Sequence, residues 1–207
     1  MNDLIQKGAI LLISGPSGCG KSTLLKAVYK SITNYYFSIS TTTRAPRVGE
    51  QDGVDYFFTT KEDFQNGISQ GNFLEWAQVH GNFYGTSLIP IQKALQENKL
   101  VIFDIDVQGF EQVRKQLANI TTTVFITTPS LKELETRLIS RGTDPQEVIQ
   151  KRLTNAKKEI EYIDQYDYLI INDNLEIASK QLVAIAISAL SKSSLFECDK
   201  IKKVWFE

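Results

Sequence analysis

The sequence predicts an α/β protein: a parallel-sheet core of the P-loop NTPase type that carries a small β-rich insertion and a helical lid. Three observations predict it. Short continuous apolar runs alternate with helical patterns, a glycine-rich loop joins the first run to a helix, and the stretch from about Tyr35 to Tyr84 breaks that alternation with β-type residues and turn signals. Strands alternating with helices imply parallel pairing through helical crossovers.

In chain order, Ala9–Ile13 is a continuous apolar run stopped by Gly15-Pro16, as expected of a strand buried on both faces. The segments 100–103, 123–126 and 168–171 have the same character. Ser22–Lys30 is helix-forming. Between Tyr35 and Tyr84 the spacing predicts β-type runs at 36–42, 56–59 and 73–79, turns at Gly49 and Asp52-Gly53, and one helix near 61–69. Ser130 with Glu133 forms a capping box that opens a helix to about Ser140. Asp144-Pro145-Gln146-Glu147 repeats that logic, with proline at the first helical position, and the following helix puts Ile149, Leu153, Ala156, Ile160 and Ile163 on one face. A last apolar helix is expected over 175–191. The expected division is a core of 1–35, 88–129 and 149–194, an insertion of 36–87, a lid of 130–148, and a tail of 195–207 with no assigned structure.

Composition narrows the function. The 207 residues hold 23 Lys+Arg against 24 Asp+Glu, a net charge of −1, which argues against a nucleic-acid binder held by bulk charge. Cys19 and Cys198 lie far apart with no metal or disulfide spacing, in keeping with a reducing compartment, and His80 is the single histidine. The polar start, Met1–Lys7, runs into an apolar stretch too short to cross a membrane and without a signal peptide's cleavage pattern, so a cytoplasmic location is expected. Only six residues are arginine, which makes the position of each informative.

Gly15-Pro16-Ser17-Gly18-Cys19-Gly20-Lys21-Ser22 matches G-x-x-x-x-G-K-[ST] at every fixed position, with a strand before it and a helix after it. Glycines let backbone N–H groups close around phosphates, and the helix N-terminus faces them with partial positive charge. Lys21 is placed to reach the β and γ phosphates, and Ser22 to ligate Mg²⁺, with Thr23 beside it. Asp104, directly after its apolar run, is the candidate second Mg²⁺ ligand.

Arg44 and Arg47 lie three apart around Pro46, a pair able to fork onto one phosphate, with Glu50 to hold an arginine and Tyr56 and Tyr84 to add hydroxyls. Glu75, and Asp106 beyond the carboxyl end of its strand, could take the ring N–H and exocyclic amine of guanine. Such a site rejects the wrong base by about 10⁴ or more, because its buried polar groups would be left unpaired. Arg137 and Arg141 are four apart on the Ser130-capped helix, Gly142 ends it, and the next helix carries Arg152. Three arginines on a helix–loop–helix suit a lid that closes over a triphosphate. The alternative, surface pairing with Glu133 and Glu135, is the reading taken for Arg114.

These residues resemble the guanylate kinases. The resemblance rests on GPSGCGKSTL (15–24), SISTTTRAPRVGEQDGVDY (38–56), FLEWAQVHGNFYGTS (73–87), FDIDVQG (103–109), RLISRGTD (137–144) and YDYLIIND (166–173), in family order over most of the chain. It implies Mg²⁺-dependent transfer of a phosphoryl group from ATP to GMP or dGMP. The insertion would bind GMP: Arg44, Arg47, Tyr56 and Tyr84 its phosphate, with Glu50 in support, and Ser40, Glu75, Thr86 and Asp106 the guanine. Lys21, Arg137, Arg141 and Arg152 would surround the transferring group, and Asn172 would approach the adenine. Thr41, Thr128 and Phe83 depart from the family pattern without removing a contact. ATP and GMP are the expected partners, with no nucleic acid or membrane, and homo-oligomerisation stays open. Two rivals stand: a kinase for AMP or UMP, disfavoured by Glu75 and Asp106, and a non-catalytic scaffold module, disfavoured by the intact loop and Lys21.

Overall fold

The computed structural model describes residues 7–47, 49–79, 81–142 and 144–207; the segment before Lys7, and His80, lie outside them. A five-stranded sheet runs in the order β2-β7-β1-β8-β9, formed by Tyr35–Phe37, Leu100–Asp104, Ala9–Ser14, Thr121–Thr127 and Tyr168–Ile171. Every pair in it is parallel. β1 is buried along its whole length because both faces are covered. Leu11 and Ile13 pack toward α1 (Lys21–Ser31) and α7 (Leu175–Ala189) with Leu24, Val28 and Leu182, while Ile10 and Leu12 pack the other way onto Phe103, Phe110 and Phe125. Strict alternation along one strand therefore feeds two separate cores.

Inserted after β2 is a four-stranded sheet of order β4-β3-β6-β5, from Phe57–Phe58, Thr41–Thr42, Asn82–Ser87 and Phe73–Val79. Helix α2 (Lys61–Ser69) belongs to this insertion and is capped by the Thr60 side chain, which accepts from the Asp63 N–H. Its Phe64 ring stacks on Phe73 at 4.4 Å and on Phe83 at 5.4 Å, giving the insertion a small aromatic core. Helices α3 (Leu88–Gln96) and α4 (Val107–Leu117) return the chain to the main sheet. The lid is α5 (Leu131–Ser140) followed by α6 (Gln146–Glu159), joined through Leu134, Leu138, Ile149, Leu153 and Ala156.

Four sequence expectations change. The run 36–42 is not one insertion strand: Tyr35–Phe37 pairs with β7, the Ser38 N–H makes the last ladder bond to the Ile102 carbonyl at 2.9 Å, and only Thr41–Thr42 joins the second sheet. The stacking of Tyr35 on Tyr29 of α1 at 4.8 Å holds that first segment on the core. The 149–163 face is also not one α-helix, because after Glu159 the chain tightens into a 3₁₀ segment, Ile160–Gln165. Pro145 is the N-cap of α6 rather than its first residue, and Asp144 pairs with Arg152 instead of capping. The tail forms a 3₁₀ turn, Ser193–Leu195, and a helix, α8 (Cys198–Phe206).

Candidate active site

The site lies beyond the carboxyl ends of β1 and β7. Their parallel register pairs Ile13 with Asp104, so the loop after β1 and the acidic residues after β7 are neighbours. Gly15 turns the chain out of β1 at φ 139°, and a Cβ there would meet the Ile126 carbonyl oxygen at 1.9 Å. Only glycine fits. Gly20, also at positive φ, precedes Lys21, the first residue of α1, and no side chain caps α1 among the described residues. The Thr23 and Leu24 N–H groups both donate to the Gly20 carbonyl at 3.1 Å, so the amide at Ser22 is the one left to meet an anion.

Lys21 Nζ donates to the Gly15 carbonyl at 2.6 Å and lies 3.7 Å from Asp104 Oδ1. Burial lowers the affinity of the Lys21 ammonium for its proton, but Asp104, with smaller help from Cys19, Glu159 and Tyr56, reverses this and holds it above the usual lysine range. Burial likewise raises the Asp104 carboxyl, against the pull of Lys21. Ser22 and Thr23 are exposed on the first turn of α1, whereas Cys19 is buried, and burial raises its thiol.

One lid arginine reaches the loop and a second reaches the residue after β9. Arg152 donates to the Ser17 hydroxyl and pairs with Asp144 at 3.2 Å. Arg137 pairs with Glu133 at 2.8 Å, the partner also foreseen for a surface arginine, but its other arm donates to the Asn172 carbonyl at 2.9 Å. Glu133 thus faces Arg137, while the Glu133 N–H donates to the Ser130 hydroxyl, the cap of α5, at 3.1 Å. Arg141 sits at the C-cap of α5 and is exposed. Asn172 is buried, and its side-chain amide donates to the Cys19 carbonyl at 2.8 Å, against Gly20. In this conformation its amide braces the loop instead of opening toward a base, a role with no sequence signal beyond the residue itself.

The insertion brings the acceptor residues together. Arg44 donates to Glu50 Oε1 at 2.8 Å and lies over the Tyr56 ring, 5.2 Å from its centroid. The Tyr84 ring meets Tyr56 edge-on at 6.0 Å. Glu50 Oε2 accepts the Arg47 N–H at 2.8 Å, so one carboxylate, its own pKa lowered chiefly by the Arg44 hydrogen bond, fixes both arginine positions. The Arg47 side chain is exposed.

Glu75 is 4% exposed and accepts from the Thr86 hydroxyl at 2.6 Å. Burial is the main cause that pushes its carboxyl up to about 7, with Thr86 opposing and Asp106 adding. Asp106 is the N-cap of α4, accepting from the N–H groups of Gln108 and Gly109. Ser40 is half-buried, and its carbonyl accepts from the Phe57 N–H at 3.0 Å. Sequence reasoning missed β6, which carries Tyr84 and Thr86, and the α4 glutamines that touch β5.

Comparison with known proteins agrees with this geometry. The profile described as guanylate kinase matches residues 7–189. The guanylate kinase of Helicobacter hepaticus is 51% identical over 201 residues, covering 97% of this chain and 100% of that protein. That of Wolinella succinogenes is 49% identical over 199 residues, covering 96% and 93%. A crystal structure of guanylate kinase from Anaplasma phagocytophilum superposes with a TM-score of 0.77 at 31% identity, covering 94% of this chain and 92% of that one.

Proposed function

The chain belongs to the guanylate kinase family, and from that membership we propose how its own residues move the phosphoryl group of ATP to GMP. It is a nucleoside monophosphate kinase that forms ADP and GDP. The Ser22 amide and the Lys21 ammonium hold the β and γ phosphates of ATP. Arg44, Arg47, Tyr56 and Tyr84 grip the GMP phosphate, and Ser40, Glu75, Thr86 and Asp106 read the guanine of GMP or dGMP. Glu50 keeps Arg44 aimed. Arg137, Arg141 and Arg152 come down with the lid, 130–148 and the start of α6, to balance charge on the group in flight and to exclude water. The insertion and lid act as units on the core, with Tyr35–Phe37 remaining part of the core sheet.

No covalent intermediate is needed. Phosphoryl transfer asks the protein to align two oxygens and neutralise charge. The residues present fit Mg²⁺: Ser22 and Asp104 offer hard oxygens, and the described residues contain no cluster of three or more His, Cys, Asp or Glu that would form an all-protein cage. Held by Ser22 and Asp104, Mg²⁺ would supply charge neutralisation to the phosphates. The described residues include no helix long and apolar enough to cross a membrane, and the cytoplasm, where both nucleotides are found, is the proposed location.

The observation that carries this reading is the register of β1 on β7, Ile13 against Asp104, which sets the triphosphate loop beside the acidic end that faces the insertion. Calorimetry tests the division of labour. GMP affinity should fall at least about tenfold in Arg44→Met, the size of one lost charged hydrogen bond, and stay unchanged in Arg152→Met. Equal losses of GMP affinity in both variants would contradict it.

A further inference from the structure

The carboxylate of Glu75 projects from an edge strand, and something must hold that edge. β5 pairs with β6 on its inner side only, with Glu75 opposite Thr86 and Trp76 opposite Gly85. An edge strand leaves alternate N–H and C=O groups facing outward. Two glutamines of α4 take them. Gln112 accepts the Trp76 N–H at 3.2 Å and returns a bond from its Nε2 to the Trp76 carbonyl at 2.7 Å, with a further contact to the Gln108 carbonyl at 3.3 Å. Gln116 Nε2 donates to the Leu74 carbonyl at 3.1 Å. The peptide groups on both sides of Glu75 are thereby tied to a helix of the core.

The same helix face closes on the carboxylate itself. Gly109 lies three residues before Gln112 and seven before Gln116, which places all three on one face. A Cβ at Gly109 would stand 2.6 Å from Glu75 Oε2. The Gly109 N–H donates to Asp106 Oδ1 at 2.9 Å, so Gly109 sits between the two carboxylates. α4 carries one of them as its N-cap and locates the other through its glutamines.

We propose that Gln112 and Gln116 are positioning residues that set Glu75 relative to Asp106 and so determine how well guanine is read. This rests on the base-reading role assigned to Glu75. The glutamines touch no substrate; they act through the backbone of β5. A two-point match to a base tolerates about 0.5 Å of misplacement, and a side-chain amide paired with an edge peptide restrains the strand in both directions along its length.

The test is steady-state kinetics on the whole protein bearing Gln112→Met and Gln116→Met, which keep side-chain length and remove the hydrogen bonds. The expected result is a rise of about tenfold in KM for GMP and a matching fall in preference for GMP over AMP, within what the three lost bonds to β5 allow. KM for ATP stays within about twofold, since the donor loop shares no partner with these groups. In a Glu75→Gln background the same two changes should have almost no effect on KM for GMP. A purely structural role would instead lower the amount of active protein and leave both KM values alone, which overturns the proposal. So does an effect of full size in the Glu75→Gln background. If Glu75→Gln itself leaves KM for GMP unchanged, the base-reading role fails and the proposal with it. Should the double variant not fold, Gln116→Met alone gives the same readout, and Gly109→Ala, which crowds Glu75 Oε2, should raise KM for GMP without raising KM for ATP.

Discussion

Lys21 Nζ lies 3.7 Å from Asp104 Oδ1, so the one lysine of the phosphate loop is held at the end of the neighbouring strand β7. The ammonium also donates to the Gly15 carbonyl at 2.6 Å, inside its own loop. With its proton affinity held above the usual range, it stays cationic across the whole physiological range. Replacing it by methionine keeps the stem and deletes the charge. Lys21→Met should lower turnover by about 10³ or more, the scale of removing a charge that stabilises the transferring group. Circular dichroism should show the native helix content, and a coupled ADP assay checks the rate.

Glu75 makes GMP use depend on pH. Its folded pKa is about 7, above the ordinary 4.5, so near pH 6 most molecules carry it protonated. Guanine presents donors and needs the carboxylate, so KM for GMP should rise as pH falls from 7 toward 5, by about tenfold per unit from this group alone. The phosphate of GMP titrates near 6 and adds its own slope. Glu75→Gln should retain only that second slope, and the difference between the two profiles isolates Glu75. The same shift acts on stability. The folded protein binds the extra proton between about 4.5 and 7, so this contribution is present in full below 4.5 and is lost as pH rises through 7. Its slope is about 1.4 kcal/mol per pH unit at most, readable in urea titrations of wild type against Glu75→Gln.

Gly15→Ala should prevent the native turn. The new Cβ would lie 1.9 Å from the Ile126 carbonyl oxygen, which is fixed in β8, an interior strand paired on both sides, and cannot move aside. With the positive φ added, destabilisation of about 3 kcal/mol or more is expected, seen as a lower melting temperature or as insoluble protein.

Arg152→Met should separate chemistry from acceptor binding. Arg152 joins the Ser17 hydroxyl of the loop to Asp144 of the lid, both outside the insertion. Turnover is expected to drop by about 10² to 10³, with KM for GMP unchanged, in initial-rate measurements with both substrates varied.

What could be read from the sequence follows from burial. β1, β7 and β8 were legible because a parallel strand covered on both faces must be rich in apolar residues, and the edge strand β9 because its short run Tyr168–Ile171 is apolar although only Ile170 is buried. The phosphate loop was legible because its glycines answer to steric demands, as Gly15 against Ile126 shows. β6 was not, since Asn82, Gly85 and Ser87 interrupt its β-type residues with ones of little strand preference and pair only because β5 and β3 flank them. The break at Ser38 was hidden for a similar reason: a short β-type run does not say which of two sheets it joins. Arg44, Glu50, Tyr56 and Tyr84 lie together in the insertion, while the Asn172 brace and the glutamines of α4 act through backbone groups, which leave no pattern in the side chains.

The central claim is that this chain phosphorylates GMP and reads its base. The most direct measurement is ADP formation from ATP by the purified protein with GMP, dGMP, AMP or UMP as acceptor, with Mg²⁺ present throughout. The account predicts rapid turnover with GMP, and kcat/KM for AMP and UMP lower by about 10³ or more, because Glu75 and Asp106 would face bases without matching donors. Turnover of AMP equal to that of GMP, or no GMP-dependent ADP at all, would contradict it.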